Sequence, residues 1–117
     1  MTQAYTTPDP ARSVLLTIDV QRDFSVPGAS AYVEGTEAAV SSLQQVLDAF
    51  RAHGRPIVHV VRLYRADGSN VDACRRRDIE TEAQVVEPGT KGAELVDALK
   101  PKQEVTLDAE TLLSGGI

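Results

Sequence analysis

Ser13–Val20 reads SVLLTIDV, an almost continuous apolar run with β-branched members and one interruption, Asp19. Such a run suits a strand buried on both faces of a parallel sheet rather than a half-exposed strand, which would alternate. QRDFSVPGASAYVEG follows, and its Pro27-Gly28 pair and scattered serines mark a long loop. From Thr36 to His53 the apolar residues Val40, Leu43, Val46, Leu47 and Phe50 recur at spacings of three and four, one stripe of a helix, with Gly54 where a C-terminal cap belongs. Pro56–Tyr64, PIVHVVRLY, is a second strand with proline at its tolerated first position. Strand, helix, strand within some fifty residues make a βαβ unit, whose crossover is expected to be right-handed.

Beyond this unit the punctuation is denser. ADGSN (residues 66–70) is a turn, Val71 to Arg77 a short helix capped by Ser69 or Asn70, and Ala83 to Glu87 a weak strand. Pro88-Gly89-Thr90 breaks the chain, Gly92 to Leu99 reads as a helix stopped by Pro101, EVTL (104–107) as an extended piece, and Asp108 to Leu113 as a helix before Gly115-Gly116. The fold class is therefore α/β, a three-layer, doubly wound, mainly parallel sheet. Only two strands are convincing, against the five or six usual for such sheets. Residues 1–117 are expected to be the amino-terminal part of a single domain.

Composition narrows the function. The 117 residues are 42% hydrophobic and 25% charged, as in an ordinary soluble globular domain. Acidic residues outnumber basic ones 17 to 12, a net charge of -5, which argues against nucleic acid as a partner. The basic run Arg75-Arg76-Arg77 is flanked by Asp72, Asp78, Glu80 and Glu82, a solvated face rather than a phosphate track. Met1 to Arg12 is polar and Val14 to Val20 is far too short to cross a bilayer, so no membrane association and a cytoplasmic location are expected. A single cysteine, Cys74, excludes an internal disulfide and a cysteine-pair zinc site.

In open α/β sheets, ligands sit beyond the carboxyl ends of the strands, where strand order reverses. Asp19 stands at such an end, suited to act as a general base or to orient one; the alternative is a strand-end aspartate that satisfies backbone amides. LLTIDVQRDF (15–24), GRPIVHVVRLYRADGSNVD (54–72) and PGTKGAELVDALKP (88–101) keep the order and spacing of segments in the isochorismatase-like cysteine hydrolases, which this chain resembles over most of its length. The D-x-Q-x-D-F segment at 19–24 is moderately specific alone, and specific in combination with the other two.

The resemblance implies a cysteine hydrolase with an Asp-Lys-Cys set acting on a small-molecule amide, carbamoyl compound or isochorismate-like substrate, with no cofactor. Asp19 matches the family aspartate that takes the thiol proton, Phe24 an aromatic that lines the substrate pocket, and Gln21 is a weaker substrate-binding candidate. The family lysine and cysteine fall beyond Ile117: Lys91 and Lys102 read as surface lysines, and Cys74, following the second strand, reads as a buried or idle thiol. Nicotinamidases of the family carry a D-x-H metal motif after the second strand, where this chain has Arg62-Leu63-Tyr64-Arg65, so no metal site is expected. His59 and His53 read as core and capping residues, while Arg62 and Tyr64 either reach the crevice or lie on its rim. GTKG is no phosphate-binding loop.

Two other functions compete. A non-catalytic interaction protein could be built on a truncated or decayed copy of this fold. A phosphoreceiver domain fits the length but needs a second acidic residue beside Asp19 and an aspartate closing the third strand, and neither is visible. If the hydrolase reading holds, residues 1–117 alone are inactive and unstable as a monomer. The missing half of the sheet then comes from the rest of the polypeptide, a bound fragment or a partner copy, and a homo-oligomer is expected.

Overall fold

In the computed structural model, which describes residues 5–80 and 84–110, the run at 13–20 forms a short strand, β1 (Leu15–Ile18). A four-residue helix, α1 (Arg22–Ser25), opens the expected loop, and the long helix α2 (Thr36–Ala52) follows. Next come β2 (Ile57–Val61), the helix α3 (Arg76–Glu80) and β3 (Val105–Asp108). The three strands pair in parallel in the order β1-β2-β3. This is the expected α/β class, and the extended piece at 104–107 proves to be the third strand.

Register divides the side chains between two faces. Thr17, His59 and Thr106 lie side by side on one; Leu16, Val58 and Val105, then Ile18, Val60 and Leu107, lie on the other. The first face meets α2, where Leu47, Ile57, Val96 and Leu99 are buried together with Leu15, Val40 and Phe50 packed against them. The second face is buried at its centre, where Val60 is 4% exposed, and open on either side of it: Leu16 is 49% exposed, Ile18 58% and Val105 55%. This corrects the reading of 13–20 as buried on both faces. A parallel sheet needs a helical layer on each side, and the described helices cover one. β1 forms an edge of the described sheet, because β2 and β3 both lie to one side of it.

Helix α2 begins and ends as expected. Its carboxyl end is closed by His53, whose N–H reaches Ala49 O, and by Gly54 in the left-handed region at φ +65°, with its N–H on Arg51 O. Leu43 and Val46, members of the expected stripe, nevertheless face outward.

One local expectation is shifted along the chain, and two fail for tertiary reasons. The helix at 71–77 is a 3-10 turn, Ala73–Arg75, running into α3; Asp72 precedes it, while Asn70 holds the turn by donating to Leu63 O and accepting from Arg65 N. Residues 84–87 form no strand (Ala83 lies outside the described residues), and Val86 adopts φ +42° with its N–H on Asp23 Oδ2 at 2.7 Å. The helix at 92–99 is replaced by 3-10 turns at Lys91–Ala93 and Asp97–Leu99. Between them Leu95 bridges to Gln21, Glu94 O accepts from Arg22 N, and Val96 N donates to Val20 O. Backbone partners on the β1–α1 segment override helix propensity there. Ala109–Glu110 begins a helix, and the remainder of the stretch expected to be helical lies outside the described residues.

Candidate active site at the carboxyl ends of the strands

The chain leaves β1 through Asp19, whose N–H still bonds Val60 O at 3.0 Å but whose φ of +57° lies in the left-handed region. Aspartate tolerates that region better than most residues, at some cost in strain, and such strain clusters at functional sites. The turn sends the next residues into α1 and leaves the Asp19 carboxylate in a crevice of ≈ 360 Å³, shared with Phe24, Arg62, Tyr64, Asp72 and Cys74.

The crevice is charged and largely paired. Arg62 Nε lies 3.6 Å from Asp19 Oδ2, and its Nη1 lies 2.5 Å from Asp72 Oδ2. Asp72 Oδ2 also accepts the Tyr64 hydroxyl at 2.6 Å. Burial alone would lower the Arg62 guanidinium, but the carboxylates of Asp19 and Asp72 outweigh it and hold the group above its ordinary value. Burial, then the hydrogen bond to Asp72 and its charge, push the Tyr64 hydroxyl well above the phenol range. Asp19 Oδ1 is buried and has no hydrogen-bond partner among the described residues. A buried carboxylate oxygen without a donor is costly and marks a place where a donor is wanted.

Phe24 is buried, with the Arg75 guanidinium 5.4 Å above its ring centre, a cation–π contact that draws the 73–75 turn over the crevice. Gln21 is fully buried, and its amide is engaged with main chain: Oε1 accepts Arg62 N–H at 2.7 Å, and Nε2 donates to Arg62 O and Ala93 O. It therefore faces the crevice wall and not its opening. Arg62 and Tyr64 reach the crevice. Cys74 is exposed on its rim, not buried, while Lys91 and Lys102 are exposed away from it. His53 binds Ala49 O at the end of α2, and His59 lies in the core between Thr17 and Glu104.

Two participants escaped the sequence reading. Asp72 carries no sign of its partners in the sequence, because the 66–70 turn folds it back onto Arg62 and Tyr64. Asp23, inside the D-x-Q-x-D-F segment, ties the 84–93 segment to α1 through Val86 N. A second hollow, between residues 9–13 and the end of α2, is bordered by Asp9, His53 and Arg55, each already hydrogen-bonded to nearby groups. Among the described residues no cluster of three His, Cys, Asp or Glu could hold a metal ion, and no helix is long and apolar enough to cross a membrane.

The family profile described as the isochorismatase domain matches residues 13–113. A solved isochorismatase family protein from Desulfovibrio vulgaris is 40% identical with a TM-score of 0.75, the match covering 81% of this chain and 50% of that one. A cysteine hydrolase from Pseudomonas syringae is 26% identical with a TM-score of 0.73, covering 86% and 47%. A probable inactive nicotinamidase from Arabidopsis thaliana is 37% identical over 93 residues, 79% of this chain and 47% of that protein. The chain thus spans about half the length of the relatives it matches. An α/β parallel sheet, a D-x-Q-x-D-F strand exit and this match over most of its length place the chain in the isochorismatase family.

Proposed function

We propose that this chain is the amino-terminal half of an isochorismatase-like cysteine hydrolase in which Asp19 is the general base. One observation carries the reading: Asp19 leaves a parallel strand in a strained backbone conformation, with a buried carboxylate oxygen that has no donor among the described residues. A thiol from the segment beyond Ile117 gives that oxygen its proton. The thiolate attacks the substrate carbonyl, backbone amides hold the oxyanion, and water releases the acyl-enzyme. A lysine from the same segment stands beside Asp19 and the thiolate and favours negative charge there. Phe24 forms an apolar wall against the substrate, a small amide, carbamoyl compound or isochorismate-like molecule.

Topology supports the placement. A further strand pairing with the open edge of β1 would make its carboxyl end the point where strand order reverses, the usual ligand position in such sheets. The open face bearing Leu16, Ile18 and Val105 calls for a covering layer from the rest of the domain or a partner copy. A cytoplasmic homo-oligomer belongs to the same reading.

Asp19→Asn in the full-length protein tests it. Losing one member of a cooperating set is expected to lower kcat on the order of ten-thousand-fold, with the fold intact by circular dichroism. Turnover within about tenfold of the parent would make Asp19 structural. A second reading, a non-catalytic protein on the same fold, is favoured by the 37% identity to a relative named as probably inactive. A coding sequence that lacks a later lysine and cysteine would select it.

A further inference from the structure

The two oxygens of the Asp19 carboxylate have different surroundings. Oδ2 faces the Arg62 guanidinium at 3.6 Å, whereas Oδ1 is buried without a partner among the described residues. Arg62 is held at both its ends. Gln21 takes its main-chain N–H and its carbonyl, each at 2.7 Å, and ties them to Ala93 O at 2.8 Å. At the other end Asp72, itself fixed by the Tyr64 hydroxyl at 2.6 Å, takes Nη1 at 2.5 Å. The guanidinium is a rigid planar fork, so holding the main chain and one prong narrows the orientations left to the group. It points at Asp19.

We propose that Gln21 and Arg62 are a positioning pair that makes Oδ1 of Asp19 the oxygen that takes the thiol proton. The proposal rests on the reading of Asp19 as the base. With Oδ2 facing the cation, rotation of the carboxylate is opposed, and Oδ1 is the oxygen left to meet the incoming thiol. In the step itself the S–H bond breaks, an O–H bond forms at Oδ1, and the electron pair stays on sulfur; the Oδ2–Arg62 pair remains in place. Gln21, a substrate-binding candidate on sequence, acts in this scheme through Arg62 and touches no substrate.

The test uses the full-length protein labelled with 15N-arginine, so that the pairing is read whether or not turnover is found. The Arg62 Nε–H resonance is assigned by its disappearance in Arg62→Lys. In Asp19→Asn it is expected to move, because the negative charge that faces it is removed. A resonance unmoved by Asp19→Asn overturns the proposal. In kinetics, Arg62→Gln is expected to lower kcat by about a hundredfold, the lower end of general acid–base contributions, with KM little changed. Guanidinium ion added to the buffer should restore part of the loss. The double variant Gln21→Leu/Arg62→Gln should lose no more than the worse single variant, since the two act as one unit. A kcat within about threefold of the parent, or a loss confined to KM, overturns the proposal. If Arg62→Gln does not fold, Arg62→Lys carries the kinetic arm: a point charge cannot span both carboxylates, so kcat should fall by about tenfold, and an unchanged kcat counts against the pair. Should Asp19→Asn keep its turnover, the base reading fails first, and the resonance still decides whether Arg62 engages Asp19.

Discussion

Asp23 and Gly92 show how single residues around the crevice constrain each other. A Cβ at Gly92 would collide with both oxygens of the Asp23 carboxylate, which is anchored on Val86 N–H. Gly92→Ala must therefore displace that carboxylate and break the bond, and we expect a loss of about 1–2 kcal/mol in urea unfolding of the full-length protein. Glu104 is the second case. It is nearly buried beneath the sheet and accepts from Arg51 at 2.6 Å, from His59 at 3.1 Å and from the backbone amides of Lys102 and Gln103. Burial alone would raise its carboxyl, but the hydrogen bonds from Arg51, His59 and those amides outweigh it and hold the group well below the usual carboxylate range. A folded value below the unfolded one means that the stabilisation is full above the unfolded value, near 4.5, and is lost as pH falls from there through the folded value. Glu104→Gln should cost about 2 kcal/mol at neutral pH, the worth of charged hydrogen bonds. It should also flatten the fall in thermal midpoint below about pH 4.5. A parent-like acid slope in the variant would show that other carboxylates govern it.

At the scale of elements, α2 separates what periodicity reveals from what packing selects. Its stripe offers five apolar positions, yet Leu47 is fully buried against Ile57, Val96 and Leu99, while Leu43 is 37% exposed. Leu47→Ala is expected to cost about 3 kcal/mol in chemical unfolding, and Leu43→Ala about 0.5 kcal/mol or less. Equal losses would mean that a further layer covers Leu43 in the full-length protein. The 3-10 turns at 91–99 are the opposite case. Their helical spacing is genuine, but backbone bonds to Val20, Gln21 and Arg22 require an extended Glu94–Val96. Those contacts join residues over seventy positions apart, which no local pattern encodes.

For the whole molecule, the radius of gyration is 16.2 Å, whereas a compact domain of this length would measure about 13–14 Å. An elongated body with an open apolar sheet face and an uncovered strand edge is poorly suited to stand alone. Residues 1–117 expressed by themselves are expected to self-associate or unfold without a cooperative transition, as read by size-exclusion chromatography with light scattering and by calorimetry. A monomer melting cooperatively would overturn this expectation and favour the non-catalytic reading. Ile18→Lys gives the complementary arm. In the isolated chain it should reduce association, whereas in the full-length protein it should destabilise the fold, because an unpaired charge would then sit under the second layer.

The amino-acid sequence by itself determined the βαβ unit, the ends of α2, the extended piece that becomes β3, the family and the place of Asp19 at a strand exit. These follow from short-range periodicity, turn residues and a contiguous motif, all of which are local in the chain. Tertiary structure alone decided that β1 is an edge of the described sheet with Leu16 and Ile18 facing outward, that 91–99 is not a helix, and that Gln21 grips the main chain of Arg62. It likewise decided that Asp72 closes the crevice from the far side of a turn. Each of these depends on hydrogen bonds and ion pairs between segments brought together only by the sheet, where a partner's identity overrides the preference of the residues it meets.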